Sequence, residues 1–444
     1  MSQRAAYKAK PNDPHATIHA RPTGGVRQLH VSVNERRTPD GVRREIVLHA
    51  DREAEKLSVL YDIYDRTVGS LVVLDGFVQC VLFHCMERGL PVRIHGNLTL
   101  SAFRNLLEFQ RVWTLWRPER YTQVDLIPDA VVSETKRSNG VIQAFSGGVD
   151  ATFTLVSNKY LRRESGGYDV TAAMLVHGFD VAYDNRADFD KLVARVRKML
   201  DHAGVDLKLV RTNSREVKIQ GWLDSVSLQL TACLHQFADQ YGTGLVASAE
   251  PYDAMCLPLG TNPITDPMLS GDLMTIVYDG AGYSRTAKVA AISEFPRLIE
   301  QLKVCWEGES QSENCGHCEK CLRTRLNFAA VGVNDPGCFP GPLDTKMLRK
   351  LRARTPVQVS ELEGIVEYAH EHGSSDPWLR LLKRRIAISR LSIALENATG
   401  WRKLESWLRS VGRDLRAKLS PGVSAPSAGS TGRAPQAAKS ILPR

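Results

Sequence analysis

Between Val141 and Tyr278, short apolar runs alternate with stretches of helical periodicity. The runs are Val141–Phe145, Val170–Val176, Asp206–Val210, Gly244–Ala249 and Ile276–Tyr278. Helical segments lie between them, from Ala151 to about Arg163, from Asp188 to Ala203 and from Trp222 to Tyr241. Leu192, Val193, Val196 and Leu200 mark one apolar face of the second segment. Short runs of this kind are strands buried on both faces. Strands alternating with helices predict an α/β fold, a doubly wound parallel sheet with helices on each side. Ligands of such sheets sit beyond the carboxyl ends of the strands.

The loop after the first run reads Ser146-Gly147-Gly148-Val149-Asp150, followed by Ala151-Thr152. Two glycines let the backbone turn tightly and approach an anion closely. Free N–H groups and the positive end of the next helix then face the same point. Ser146 and Thr152 add hydroxyls. A carboxylate at Asp150 would repel a phosphate unless a cation intervened, which implies Mg²⁺. The bland alternative is an ordinary strand–turn–helix link. Position between a buried-type strand and a helix favours an anion site.

The second motif is Cys305, Cys315, Cys318 and Cys321. Four thiolates at this spacing can wrap one tetrahedral Zn²⁺ in a closed, structural site. Gly316 relieves the knuckle turn, and His317 is redundant as a ligand beside four cysteines. An iron–sulfur cluster is the alternative, but the Cys-Pro ending common to one such spacing is missing.

The Ser146–Asp150 pattern resembles the phosphate loop of the PP-loop ATP pyrophosphatases, which carry Ser-Gly-Gly-x-Asp-Ser. Ala151 stands where that family has its second Ser. The resemblance implies an adenine-nucleotide alpha hydrolase (HUP) sheet, with ATP cleaved between its α and β phosphates. Both motifs together, in this order, resemble the 7-cyano-7-deazaguanine synthase group. That group shares the loop and has a Cys-x-x-Cys-x-x-Cys zinc site followed by Arg, here Cys315 to Arg323. Gly282–Val289 is similar to the group's Thr-Lys turn entering a helix, here Thr286 and Lys288. The likeness spans about 141–332.

It implies an ATP-dependent carbon–nitrogen ligase using ATP, Mg²⁺ and Zn²⁺. A small-molecule carboxylate, a deazapurine-type acid in that group, would be adenylated, and ammonia or an amine would then displace AMP. The implied catalytic residues are Asp150, Lys288 and Arg285, the two cations neutralising the departing pyrophosphate. The implied nucleotide contacts are Ser146, Gly147, Gly148, Val149, Asp150, Thr152 and His177. His177-Gly178-Phe179-Asp180 replaces the group's Tyr-Gly-Gln, so the acceptor can differ.

Glu250, Asp253 and Asp266 follow the fourth run and read either as ligands for Mg²⁺ or substrate, or as Asx turns and caps. A tRNA-modifying enzyme is a second reading, with Cys233 or Cys256 as a sulfur carrier. A nucleotide-sensing regulator with a decayed loop is a third.

The flanks carry less chemistry. Residues 1–27 read as a flexible arm, 28–135 as an N-terminal α+β domain and 136–340 as the ATP domain with the zinc knuckle. A basic helical extension, 341–419, and a disordered tail, 420–444, follow. The net charge of +9 resides in this last part: 341–444 holds 19 Lys+Arg against 9 Asp+Glu, leaving 39 against 40 elsewhere. Trp401, Leu404, Leu408, Val411 and Leu415 form an apolar face beside Arg402, Arg409, Arg413 and Arg416. Such a helix can contact RNA or dock on its own protein or a homodimer mate. No run reaches the roughly 18 apolar residues of a membrane span. With no signal sequence in Met1–Pro14, the expected location is cytoplasmic.

Overall fold

The computed structural model describes residues 27–134, 137–217, 221–349 and 351–399. The arm before residue 27, the amphipathic segment from Trp401 and the tail lie outside the described residues. The RNA and homodimer readings of the basic C-terminus lie there too.

Ten strands form one sheet: β1 (Leu29–Thr38), β2 (Gly41–Ala50), β3 (Lys56–Ile63), β4 (Val92–Thr99), β5 (Leu126–Val132), β6 (Gly140–Ala144), β7 (Ala172–His177), β8 (Asp206–Thr212), β9 (Tyr241–Ala247) and β10 (Thr275–Asp279). Their order is β10-β9-β6-β7-β8-β3-β2-β1-β4-β5. The first five are parallel throughout. Antiparallel pairing begins at β8–β3, where Tyr61 faces Thr212 and Ile63 faces Val210. Both the 28–135 and the 136–340 segments thus contribute strands to one sheet.

The hairpin β1–β2 turns through Pro39-Asp40, with Thr38 opposite Gly41. Along β2 buried and half-buried residues alternate, as in a strand with one face on a core. β7, in the parallel part, is buried at all six positions.

The helices are α1 (Asp75–Arg88), α2 (Leu100–Trp116), α3 (Val149–Val156), α4 (Arg186–Ala203), α5 (Trp222–Leu234), α6 (Arg285–Ser293), α7 (Pro296–Ile299), α8 (Glu319–Ala330), α9 (Thr345–Leu348), α10 (Pro356–Glu371) and α11 (Pro377–Thr399). α1, α2 and α5 share one hydrophobic core with residues such as Ile142, Met174 and Val210 of the sheet. α3, α4, α6 and α8 share another with Val141, Ala173 and Leu175. Adjacent strand residues therefore feed opposite cores, as in a doubly wound sheet. Among the described residues, no helix is long and apolar enough to cross a membrane.

The helix expected over 151–163 changes character at Val156. A π-helical turn, Ser157–Leu161, follows α3. Asn158 and Arg162 there donate to the buried Asp279 carboxylate at 3.1 and 2.6 Å. The wider turn brings both donors to one acceptor at the end of β10.

Candidate functional site

Within the parallel part, chain order runs outward in both directions from β6. The reversal lies between β6 and β9, the switch point where doubly wound sheets bind ligands. The Ser146–Asp150 loop leaves the end of β6 at this place.

Gly147 adopts φ +75°, and a Cβ there would lie 3.3 Å from Val196. The positive φ favours glycine, and the contact with Val196 would be tight for any larger residue. Gly148 is the N-cap of α3, and its N–H donates to Ser146 Oγ at 3.3 Å. The first N–H groups of α3 have no intrahelical acceptor, as at any helix start. They open beside a cavity of about 230 Å³.

Ser146, Gly148, Val149, Asp150 and Ala151 line that cavity. Arg285, Lys303, Lys320 and Asp180 supply the rest of its charge. Phe179, Trp222, Val226 and Leu230 form an apolar wall, the last three four residues apart on α5. Phe179 and Trp222 meet edge to face at 5.1 Å, and the Arg215 guanidinium stacks on Trp222 at 4.6 Å. On the other side of the sheet, Phe145, Leu175 and Leu192 form a second apolar wall.

Asp150 is the electrostatic centre. Its carboxylate accepts from Arg285 at 2.6 Å and from Lys288 at 3.4 Å. Burial pushes its pKa up, but Arg285, Lys288 and Lys320 outweigh that and hold it below the usual carboxylate range. Lys288 is only 2% exposed and also donates to the carbonyl and hydroxyl of Ser248, both at 2.7 Å. Burial lowers its ammonium below the ordinary lysine range against the pull of Asp150. Lys288 does not line the cavity, so it acts through Asp150. The Arg285 Nε is buried without a partner among the described residues, so this guanidinium keeps unused capacity.

Two cations were not foreseen from sequence. Lys303 is 5% exposed and lines the cavity, where the Asp180 carboxylate attracts its ammonium against the cost of burial. Its backbone N–H donates to the Gly147 carbonyl at 2.8 Å. Lys320 lies in the first turn of α8, between Cys318 and Cys321. The signal was available, since both lie within two residues of the cysteine motif.

Other expectations find different places. The Thr152 hydroxyl donates to the Gly148 carbonyl at 2.8 Å, within a fully buried side chain. It braces the turn from behind and does not reach the cavity. His177 is also fully buried and absent from the lining. Its ring stacks on Phe189 at 4.2 Å, and Nε2 bonds the Ala182 carbonyl at 2.9 Å. Next to it, a Cβ on Gly178 would fall 1.9 Å from the Thr212 carbonyl, so only glycine fits.

Glu250 accepts from the Cys256 N–H at 2.8 Å, and Asp253 is exposed in a short 3₁₀ turn. Neither lines the cavity. Burial raises the thiols of Cys233 and Cys256, and neither lines it.

Asp266 is fully buried and accepts from Thr261 Oγ1 and Asn262 N at 2.9 and 3.1 Å. Burial pushes its pKa up to about 7. A carboxyl raised in the folded state favours folding while protonated. It loses that benefit as pH rises from the unfolded value toward 7. Its ionisation should therefore lower stability by roughly 3–5 kcal/mol between about pH 4 and 7. Asp266→Asn should flatten that slope in urea melts across this range; an unchanged slope would show that Asp266 ionises freely.

The four cysteine sulfurs lie within 4.8 Å of one another. Cys305 and Cys318 are 3.7 Å apart, and Cys315 and Cys321 are 3.9 Å apart. A tetrahedral zinc with bonds of about 2.3 Å has sulfur–sulfur edges of about 3.8 Å. The group fits one metal ion. His317 turns aside and bonds the Cys315 carbonyl through Nδ1 at 2.8 Å.

These features define an α/β protein with a cationic cavity at its switch point and a four-cysteine metal site alongside. Residues 276–398 match the model of a family described as a family of unknown function (DUF6395). The matched segment contains Arg285, Lys288, Lys303, Lys320 and the four cysteines, whereas the Ser146–Asp150 loop precedes it. No curated protein and no solved structure matches the chain.

Proposed function

We propose that this chain is an ATP-dependent carbon–nitrogen ligase of the PP-loop kind on an adenine-nucleotide alpha hydrolase sheet. One observation carries the reading. A two-glycine turn and a helix start meet at the switch point, beside a cavity edged by Arg285, Lys303 and Lys320. Backbone N–H groups and fixed cations around one small volume are what a polyphosphate requires.

An acceptor carboxylate oxygen forms a bond to the α-phosphorus of ATP, and the α–β bridging bond breaks. Pyrophosphate leaves, its charge met by Arg285 and the loop N–H groups. Ammonia or an amine then bonds the acyl carbon, AMP departs and the surplus proton passes to solvent. Asp150 holds Arg285 in place; Lys288 stands behind Asp150. The loop offers Mg²⁺ one carboxylate already shared by two cations, so Mg²⁺ would enter with the nucleotide, held mostly by phosphates and water. Zinc at the four cysteines would serve structure, its coordination being complete.

The two apolar walls give both adenine and an acceptor of flat or aliphatic body a place. A deazapurine-type acid is one such acceptor. Cys233 and Cys256 lie off the cavity with raised thiols, which counts against a sulfur-carrying role.

Mass spectrometry of the protein mixed with ATP and a panel of carboxylic acids, without amine, tests the reading. An acyl-adenylate should accumulate for at least one acid and disappear when ammonia is added. Consumption of ATP to ADP with every acid would refute it.

A further inference from the structure

We infer that the four-cysteine centre builds the anion site: it delivers Lys303 and Lys320 to the cavity as phosphate-binding residues, so metal and nucleotide bind with positive coupling. This rests on the ATP reading above.

A buried ammonium without a partner is costly. Lys303 is largely buried with only the Asp180 carboxylate to offset that cost, and its backbone holds it there. Its N–H donates to Gly147 of the loop at 2.8 Å. Asn314 clamps the same segment. Its Oδ1 accepts from Val304 N at 2.8 Å and Cys305 N at 3.1 Å. Its Nδ2 donates to the carbonyls of Leu302 and Cys338 at 2.8 and 2.9 Å. Asn314 therefore grips the stretch bearing Lys303 and the ligand Cys305, and it directly precedes the ligand Cys315.

Lys320 is tied more closely still, between the ligands Cys318 and Cys321. Two cavity cations thus hang from one four-sulfur knot, on segments of the chain separated by a loop. Without a metal, the Asn314 clamp and weak thiol contacts join those segments, and a metal at the four sulfurs would add bonds to both. With it, both ammonium groups face the cavity beside the phosphate loop, and a polyphosphate supplies the charge they lack.

Coupling of this kind is reciprocal. If bound metal raises ATP affinity, bound ATP must raise metal retention by the same factor. The experiment follows zinc loss from the zinc-loaded full chain to a chelator, with and without Mg·ATP. Lys303→Met is the companion variant. The Lys303 side chain makes no bond among the described residues, so this variant should fold and keep its zinc.

Mg·ATP should reduce zinc loss from the wild type by about fivefold or more. In Lys303→Met, ATP affinity should fall about tenfold and the protection should shrink with it. Lys303→Arg should restore both. ATP binding that leaves zinc loss unchanged would overturn the coupling while leaving the ATP reading intact. Wild-type ATP affinity in Lys303→Met would do the same. Failure of the zinc-loaded wild type to bind ATP would overturn the ATP reading itself, and the coupling with it.

Discussion

Asp150→Ala should abolish pyrophosphate release, by about 100-fold or more, and should destabilise the fold as well. The carboxylate accepts from Arg285 at 2.6 Å and Lys288 at 3.4 Å. Arg285 is 10% exposed and Lys288 2%, so removing Asp150 leaves two nearly buried cations unmatched. Breaking a buried pair from one side costs about 3–5 kcal/mol. Asp150 itself is 23% exposed, and Lys288 can shed its proton, so about 2–4 kcal/mol is expected here. The activity loss follows because Arg285 would no longer be fixed where charge develops.

The sign of the pH effect follows from the depressed pKa of Asp150. A lowered carboxyl contributes stability above its unfolded value and loses it as pH falls through its folded value. The wild-type advantage should therefore be full at pH 7 and smaller at pH 3, below the ordinary carboxyl value of about 4. Denaturant melts of both proteins at the two pH values measure it. A fully active Asp150→Ala protein would remove Asp150 from the site.

Cys321→Ser should release the metal and produce the largest stability loss of any single substitution near the site. Cys321 is fully buried. Structural zinc contributes about 10–16 kcal/mol of apparent binding energy in small zinc-finger peptides. In a larger fold, the neighbouring core retains part of the structure, so a loss on the order of 5 kcal/mol is expected. Cys318 begins α8 and its sulfur accepts from the Cys321 N–H, so the helix start frays with the knot. Elemental analysis should show zinc in the wild type and none in the variant, and melting should fall by about 10 °C or more. Identical metal content and melting temperature would show that the sulfurs hold nothing.

The parts of the fold visible in sequence are those with local causes. Val141–Phe145, the two glycines and the following helix announce the β6–loop–α3 unit, and the structure has it within a few residues. The β1–β2 hairpin follows from the Thr38–Gly41 turn. The helix start at Pro377 follows from the Asp376-Pro377 pair. β3 and β5 carry no comparable local signal. β3 pairs along β2 and also joins β8, some 150 residues away, through pairs such as Asp62–Arg211. Pairing over such distance leaves no periodic mark on either segment. It is also what joins the N-terminal strands to the parallel part in one sheet.

The site divides in the same way. The loop and the four cysteines are local patterns, and the structure gathers each of them. Asp150, Arg285 and Lys288 come together from segments about 140 residues apart, where only the likeness to a known arrangement linked them. Thr152 and His177 show the limit of reading a side chain from its motif position. The helix geometry turns Thr152 back onto Gly148, and the ring of Phe189 claims His177. Lysines beside a metal motif read as solvated surface, whereas Lys303 and Lys320 line the cavity.

The central claim is that ATP is opened between its α and β phosphates at the Ser146–Asp150 loop. Phosphorus NMR of the zinc-loaded protein with Mg·ATP, an acceptor acid and ammonia tests it most directly. The account predicts AMP and pyrophosphate in equal amounts, dependent on the acid and lost in Asp150→Ala. Release of ADP and inorganic phosphate instead, or products that persist unchanged in that variant, would contradict it.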